Sequence, residues 1–358
     1  MKNLFISASV VSASMIAAMA GGALAGGIER SDQSVGVMFE DGGYIELSYG
    51  YVVPTVSGSV GGGAVLSGDM ALSYSSFSLG IKQDINDMLS IGLIFDQPYG
   101  ANVSYPAGTG YPFAATTATL TSGAVTAVAR YKVGERFSVL GGVRRQSFSG
   151  VASIPIVGGY TLDATGTPGV GYLVGAAYEI PDIALRVALT YNSEITHSMT
   201  GTEFVAPTAF DVTTPKSVNL EFQSGIAADT LIFGSVRWVN WSAFDISPPA
   251  YVGATGDPLV SYANDATTYS LGLGRRFSDA LSASVALGYE AAQGGISSNL
   301  GPTDGFFSLQ AGAKYTMGNM SISGGVRYVI IGDATTSIGA SFTDNSAIGV
   351  GVQLGFAF

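Results

Sequence analysis

The stretch Asn345–Phe358, NSAIGVGVQLGFAF, decides the fold. Ile348, Val350, Val352, Leu354, Phe356 and Phe358 take every even position, and Gly349, Gly351, Gln353, Gly355 and Ala357 take the odd ones. Successive side chains of an extended strand point to opposite faces, so one face of this segment is wholly apolar and the other small or polar. A helical period would scatter both sets. The pattern is that of a transmembrane strand with hydrocarbon on one side and a lumen on the other. A soluble sandwich also alternates, but its apolar face must meet a second sheet.

The same alternation recurs along the chain. Ile45, Leu47, Tyr49, Tyr51 and Val53 oppose Glu46, Ser48 and Gly50; Leu89, Ile91, Leu93 and Phe95 oppose Ser90, Gly92 and Asp96. Phe307, Leu309, Ala311, Ala313 and Tyr315 oppose Ser308, Gln310, Gly312 and Lys314. Segments of this kind begin near Gly43, Met70, Met88, Thr119, Arg136, Gly169, Ile183, Lys216, Leu231, Thr268, Leu281, Phe306, Asn319 and Asn345, about fourteen strands at ~10 residues per span. Short turns such as Gln83–Asp87, Ala227–Asp229 and Phe277–Asp279 alternate with longer polar stretches, among them Ala101–Ala118, Thr200–Pro215 and Ser247–Ala266, which read as extracellular loops. Tyr49, Tyr51, Tyr131, Tyr178, Trp238, Tyr315 and Tyr328 fall on apolar faces, where several suit the membrane interfaces.

Composition points the same way. Of 358 residues 47% are hydrophobic and only 11% charged, against about 25% charged in soluble domains. Past the N-terminus there is no run of 18 apolar residues to form a spanning helix. A chain this apolar without such a run reaches the membrane as a closed sheet, because every backbone N–H and C=O in lipid must be satisfied internally. A net charge of −11 argues against a nucleic-acid partner, and the absence of cysteine removes disulfides and thiolate chemistry.

Residues 1–25 read as a secretory signal, with Lys2 in the charged region, an apolar core from Leu4 to Met19, and Ala23-Leu24-Ala25 as the cleavage site. Residues 26–43 do not alternate and read as a short N-terminal plug, with a loose periplasmic tail as the alternative. Residues 44–358 then form one domain, an all-β transmembrane antiparallel barrel in the bacterial outer membrane.

Several segments resemble the FadL/TodX family of outer-membrane transporters for long-chain fatty acids and aromatic hydrocarbons. They are Pro215–Gly225, Asp229–Ser242, Tyr191–Ile195 and Gln97-Pro98-Tyr99-Gly100-Ala101, together with the terminal Phe358. The resemblance implies a fourteen-stranded barrel with an N-terminal hatch. It also implies hydrophobic substrate captured among extracellular loops, passed to an inner pocket and released sideways at a kink in the third strand. The family's hatch is usually longer than residues 26–43 and often contains Asn-Pro-Ala, which is absent here.

Pro98 cannot donate to a sheet ladder, so it marks either a break in the wall or the end of the strand at the rim. Under the family reading, Gln97, Pro98, Tyr99 and Gly100 form the lateral opening. Arg144, Arg237 and Arg327 fall on lumen-facing positions near mid-height. They suit either the carboxylate of a fatty acid or a structural network with Glu46, Asp96, Glu194, Glu221 and Glu290, also assigned inward.

No catalytic set or metal site emerges. His197 is the only histidine, placed at an outer rim; the glycines at 61–63 lack a phosphate-loop continuation; Gly272–Arg276 lacks the third glycine of a dinucleotide fingerprint. The expectation is a passive importer of hydrophobic small molecules, long-chain fatty acids first, not an enzyme and without a cofactor. Its other expected associates are outer-membrane lipid and the barrel assembly machinery, with the chain as a monomer. The competing readings are a structural or surface-interaction barrel and an open diffusion porin for polar solutes, although porins usually have 16 to 18 strands.

Overall fold

The computed structural model describes residues 27–358, so the expected signal sequence and its cleavage site lie outside the described residues. Fourteen antiparallel strands close into a barrel. They are β1 (Tyr44–Thr55), β2 (Tyr74–Asp84), β3 (Leu89–Asp96), β4 (Thr117–Val133), β5 (Phe137–Ile154), β6 (Gly169–Ile180) and β7 (Leu185–Asn192). The second half comprises β8 (Ser217–Ala227), β9 (Thr230–Val239), β10 (Ala266–Arg276), β11 (Leu281–Glu290), β12 (Phe306–Met317), β13 (Met320–Ile331) and β14 (Asn345–Ala357). Each strand pairs with its neighbours in sequence order, and β1 joins β14 from Tyr44↔Ala357 to Thr55↔Ser346. Closure removes the free edge that an open sheet would present to lipid.

Burial follows the two-residue period. On β14, Ile348, Val350, Val352, Leu354 and Phe356 are 38–54% exposed, while Asn345, Ala347 and Gln353 turn inward and are buried. Tyr49, Tyr51, Tyr131, Tyr315 and Tyr328 likewise lie exposed on the outer face. No helix among the described residues is long and apolar enough to cross a membrane; the strands do the crossing.

The strand starts agree with the sequence reading to within four residues, but the outer rim differs in three respects. Thr200–Pro215, expected as a loop, belongs mostly to a hairpin of Ile195–Glu203 and Ala206–Thr214 that continues β7 and β8 beyond the membrane. Ser193 and Glu194 interrupt β7 there, so the parity count slips: Glu194 is exposed, not inward, while His197 is fully buried and stacks on Phe148. β4 and β5, at 17 and 18 residues, also extend past a ~10-residue span, and Tyr160–Gly166 bridges β5 to the hairpin. A short helix α1 (Pro249–Thr255) caps this rim. Glu203 holds it by accepting the backbone N–H groups of Ala250 (3.1 Å) and Tyr251 (3.0 Å).

The segment before β1 lies inside the barrel. A 3₁₀ turn at Gly36–Phe39 buries Val37 and Met38 against Val128, Leu140, Leu173, Ala177 and Ala188 on the inner faces of β4–β7. Gly92 makes this approach possible, because a Cβ there would lie 2.4 Å from the Met38 sulfur. The wall also binds the segment by polar contacts: Ser34 donates to Glu221 (2.7 Å), and Asn219 Nδ2 donates to the Asp32 carbonyl (2.7 Å).

The lipid-facing assignment makes a direct prediction at Val326, which is 54% exposed near the middle of β13 and paired with Ala311 and Val350. Val326→Arg should destabilise the folded barrel by about 2–4 kcal/mol in reversible urea titrations in lipid, whereas Val326→Leu should be nearly neutral. Equal stability of the two variants would place this face away from hydrocarbon.

Candidate functional site

The barrel wall departs from a continuous ladder between β2 and β3. These strands pair from Asp84↔Ser90 up to Leu79↔Phe95, and there β3 leaves its neighbour. They rejoin only at Ala71↔Val103, where Leu72 N–H reaches the Asn102 carbonyl at 3.2 Å and Ser104 N–H the Met70 carbonyl at 2.8 Å. Between these points no ladder pair among the described residues joins the two edges.

Pro98 sits at the centre of the break. On the other side, β3 pairs with β4 at Asp96↔Ala124, and its continuation Gly100–Ser104 resumes at Gly100↔Thr121. Three residues therefore oppose two, which is a bulge. Substitute groups satisfy the freed backbone. Gln97 Oε1 accepts the Phe77 N–H at 3.0 Å. Tyr99 N–H donates to Ser122 Oγ at 2.8 Å, and the same hydroxyl donates back to the Tyr99 carbonyl. From the lumen, Arg30 N–H donates to the Pro98 carbonyl and Gly100 N–H to the Ile28 carbonyl, both at 2.8 Å, around a bridge between Glu29 and Tyr99. The inner segment is thus a short strand added to the interrupted edge. On the lipid side the Phe77 and Phe95 rings lie 5.8 Å apart.

Two cavities meet at this break. The outer one is roofed by the extracellular extensions and lined by Ile28, Met70, Ala101, Val103, Leu120, Leu162, Met199 and Leu259, with no charged residue among its walls. The inner one is polar and holds Glu46, Asp96, Glu221, Glu290, Arg186, Arg237 and Arg327, and it reaches Phe77 and Gln97 at the break. Gly100 lines the first and Gln97 the second.

All three arginines singled out by sequence face the lumen. Arg144 donates from Nε to Thr126 (2.9 Å) and from Nη1 to Gln33. Gln33 in turn donates to the Tyr99 hydroxyl at 3.1 Å, so Arg144 and the break are joined through the inner segment. Arg237 pairs with Glu29 and donates to Ser217 (3.1 Å) and Asn219 (2.5 Å). Arg327 donates to Ser308 at 3.1 Å and has its Cζ 5.3 Å from the Phe306 ring, leaving Nε buried without a hydrogen-bond partner. Residues 97–100 lie where the wall is interrupted, with Tyr99 turned inward and 3% exposed.

Sequence reasoning missed Glu29, Arg30, Asp32 and Gln33. The available signal was Glu29-Arg30-Ser31-Asp32-Gln33 itself, a dense polar run in a chain with so few charges.

The fold defines a closed fourteen-stranded membrane barrel with one interrupted stretch of wall. The chain belongs to the outer membrane protein transport protein family (OMPP1/FadL/TodX), whose model matches residues 44–294. Similar solved structures include a Pseudomonas aeruginosa FadL homologue, 14% identical over 96% of this chain and 98% of that one, with a TM-score of 0.77. The Pseudomonas putida toluene transporter TodX is 12% identical over 90% of this chain and 91% of its own, with a TM-score of 0.65. The monoaromatic hydrocarbon channel CymD is 14% identical over 90% of each chain, with a TM-score of 0.60. At these identities the likeness establishes the fold. No curated protein matches the chain by sequence. The chain is therefore an outer-membrane transporter of hydrophobic compounds.

Burial raises the Asp32 carboxyl to about 7, with Glu221 adding to the shift and Arg237 opposing it. A raised carboxyl pKa favours the docked segment below the unfolded value near 4, and that advantage is lost as pH climbs towards 7. Amide exchange of Arg30 and Gly100, corrected for intrinsic rate, should be slower at pH 5 than at pH 8, and Asp32→Asn should flatten the difference. An unchanged pH dependence in Asp32→Asn would remove Asp32 from the docking equilibrium.

Proposed function

We propose that the chain imports long-chain fatty acids across the outer membrane without an energy source of its own. Ligand enters among the extracellular extensions, lodges in the carbon-lined outer cavity, and leaves sideways between β2 and the interrupted third strand. The observation that carries this reading is the break at Gln97, Pro98, Tyr99 and Gly100 lying against an uncharged apolar cavity. A pore for polar solutes has no use for such a cavity, and a purely structural barrel has none for a break that must be patched by substitute hydrogen bonds.

The inner segment belongs to the mechanism because its residues 28–30 supply part of the patch. Arg144 and Arg237 act in this reading by anchoring that segment through Gln33 and Glu29. Arg327 lines the polar cavity beside the exit, where its remaining donor serves a carboxylate on its way out.

Gly100→Trp tests the route. Its ring would occupy the cavity side of the break, where the nearest atoms belong to the flexible Arg30 side chain rather than to backbone. Uptake of radiolabelled oleate by cells should fall at least tenfold, while the heat-modifiable gel shift of the folded barrel is retained. Wild-type uptake by a correctly folded Gly100→Trp barrel would overturn the lateral route.

A further inference from the structure

The arginines near the break differ in how far their donors are already used. Arg144 is committed to Thr126 and Gln33, Arg237 to Glu29, Ser217 and Asn219, and Arg327 donates to Ser308. Arg30 stands apart. Its backbone is pinned to the Pro98 carbonyl, and among the described residues its side chain forms no ion pair. It crosses Gly100, where a Cβ would lie 2.5 Å from Nε, and rests with Cζ 4.0 Å above the Tyr74 ring. Its Nη2 is buried without a hydrogen-bond partner. Burial lowers its pKa from the ordinary guanidinium value, and the group that opposes this shift is the Tyr74 phenol.

A guanidinium on an aromatic face gains a cation–π attraction but leaves its N–H groups unbonded. A carboxylate would satisfy them through the planar fork, with two charge-assisted hydrogen bonds. The location adds to the argument. Arg30 borders the polar cavity, and the glycine beneath it borders the apolar one, so the guanidinium stands at their boundary on the lumen side of the break. Glycine at 100 leaves that boundary clear of any side chain of its own.

We propose that Arg30 receives the carboxylate of an amphiphilic monocarboxylic acid whose hydrocarbon chain lies in the apolar cavity. The proposal rests on the importer reading above and deepens it. Arg30 becomes the residue that separates anionic amphiphiles from uncharged hydrocarbons of the same length, because an ester or alkane offers no charge to pair with it. A lysine at the same place would keep the charge and lose the fork.

The test compares oleate with methyl oleate, measured by calorimetric binding to the purified full chain in detergent for wild type, Arg30→Met and Arg30→Lys. Arg30→Met should weaken oleate binding on the order of ten- to a hundredfold, the loss expected for a hydrogen bond to a charged group. Methyl oleate affinity should move by less than about threefold, the size of a small packing change. Arg30→Lys should fall between wild type and Arg30→Met for oleate, which guards against a folding defect in the methionine variant. Equal weakening of both ligands, or unchanged oleate affinity in Arg30→Met, would overturn the role of Arg30 and leave the importer reading standing. Failure of the wild-type chain to bind either ligand would overturn both.

Discussion

In hydrocarbon a backbone N–H or C=O has no water to turn to, and each one left unpaired costs several kcal/mol. Everything else in this molecule follows from that constraint and from the one stretch of wall where it is met in an unusual way. Around most of the circumference, ladder pairs between sequential strands satisfy the backbone, and β1 and β14 close the ring. Between β2 and β3 the ladder stops, and a glutamine side chain and a strand from inside the barrel take over, while a serine hydroxyl of β4 serves the bulge on the other side. Such a patch can be undone locally, since it depends on side chains and a tethered segment rather than on two long covalent strands.

The arrangement of polar and apolar surface around the break gives the proposed exit its direction. Above it lies a cavity walled by aliphatic and aromatic carbon; below it lies a compartment of carboxylates and arginines. The inner segment divides the two, with Ile28 facing the apolar cavity and Glu29 the polar one. In the proposed route a hydrophobic molecule descending from the outside meets a polar floor and, beside it, the interrupted wall with hydrocarbon beyond. The lateral path keeps its apolar surface out of water, whereas the axial path does not.

How much of this was readable from sequence depends on which physical signal a feature leaves. The wall was legible because lipid on one face and lumen on the other force a two-residue period, so β14 and β12 could be read position by position. Pro98 was legible because proline lacks the donor a ladder needs. The rim was not, because above the membrane both faces meet protein or water and the period loses its meaning. The interruption at Ser193 and Glu194 then reverses the expected direction of Glu194, and Thr200–Pro215, which reads as a loop, lies mostly in the hairpin Ile195–Thr214. The partners of the lumen arginines were hidden for a different reason. Arg144 is bonded across 111 positions of sequence to Gln33, and Arg237 across 208 to Glu29, distances at which spacing carries no information.

Between β2 and the third strand the wall lacks ladder hydrogen bonds above Leu79↔Phe95. Phe77 N–H points into the break, and the alternation of an antiparallel edge points Ser75 N–H the same way. Site-resolved amide hydrogen exchange of the barrel in lipid nanodiscs measures this directly. Ser75 and Phe77 should exchange at least a hundredfold faster than Leu79 and Ile81 on the same edge of the same strand. Uniform protection from Ser75 through Ile81 would mean a continuous wall and would contradict the interruption.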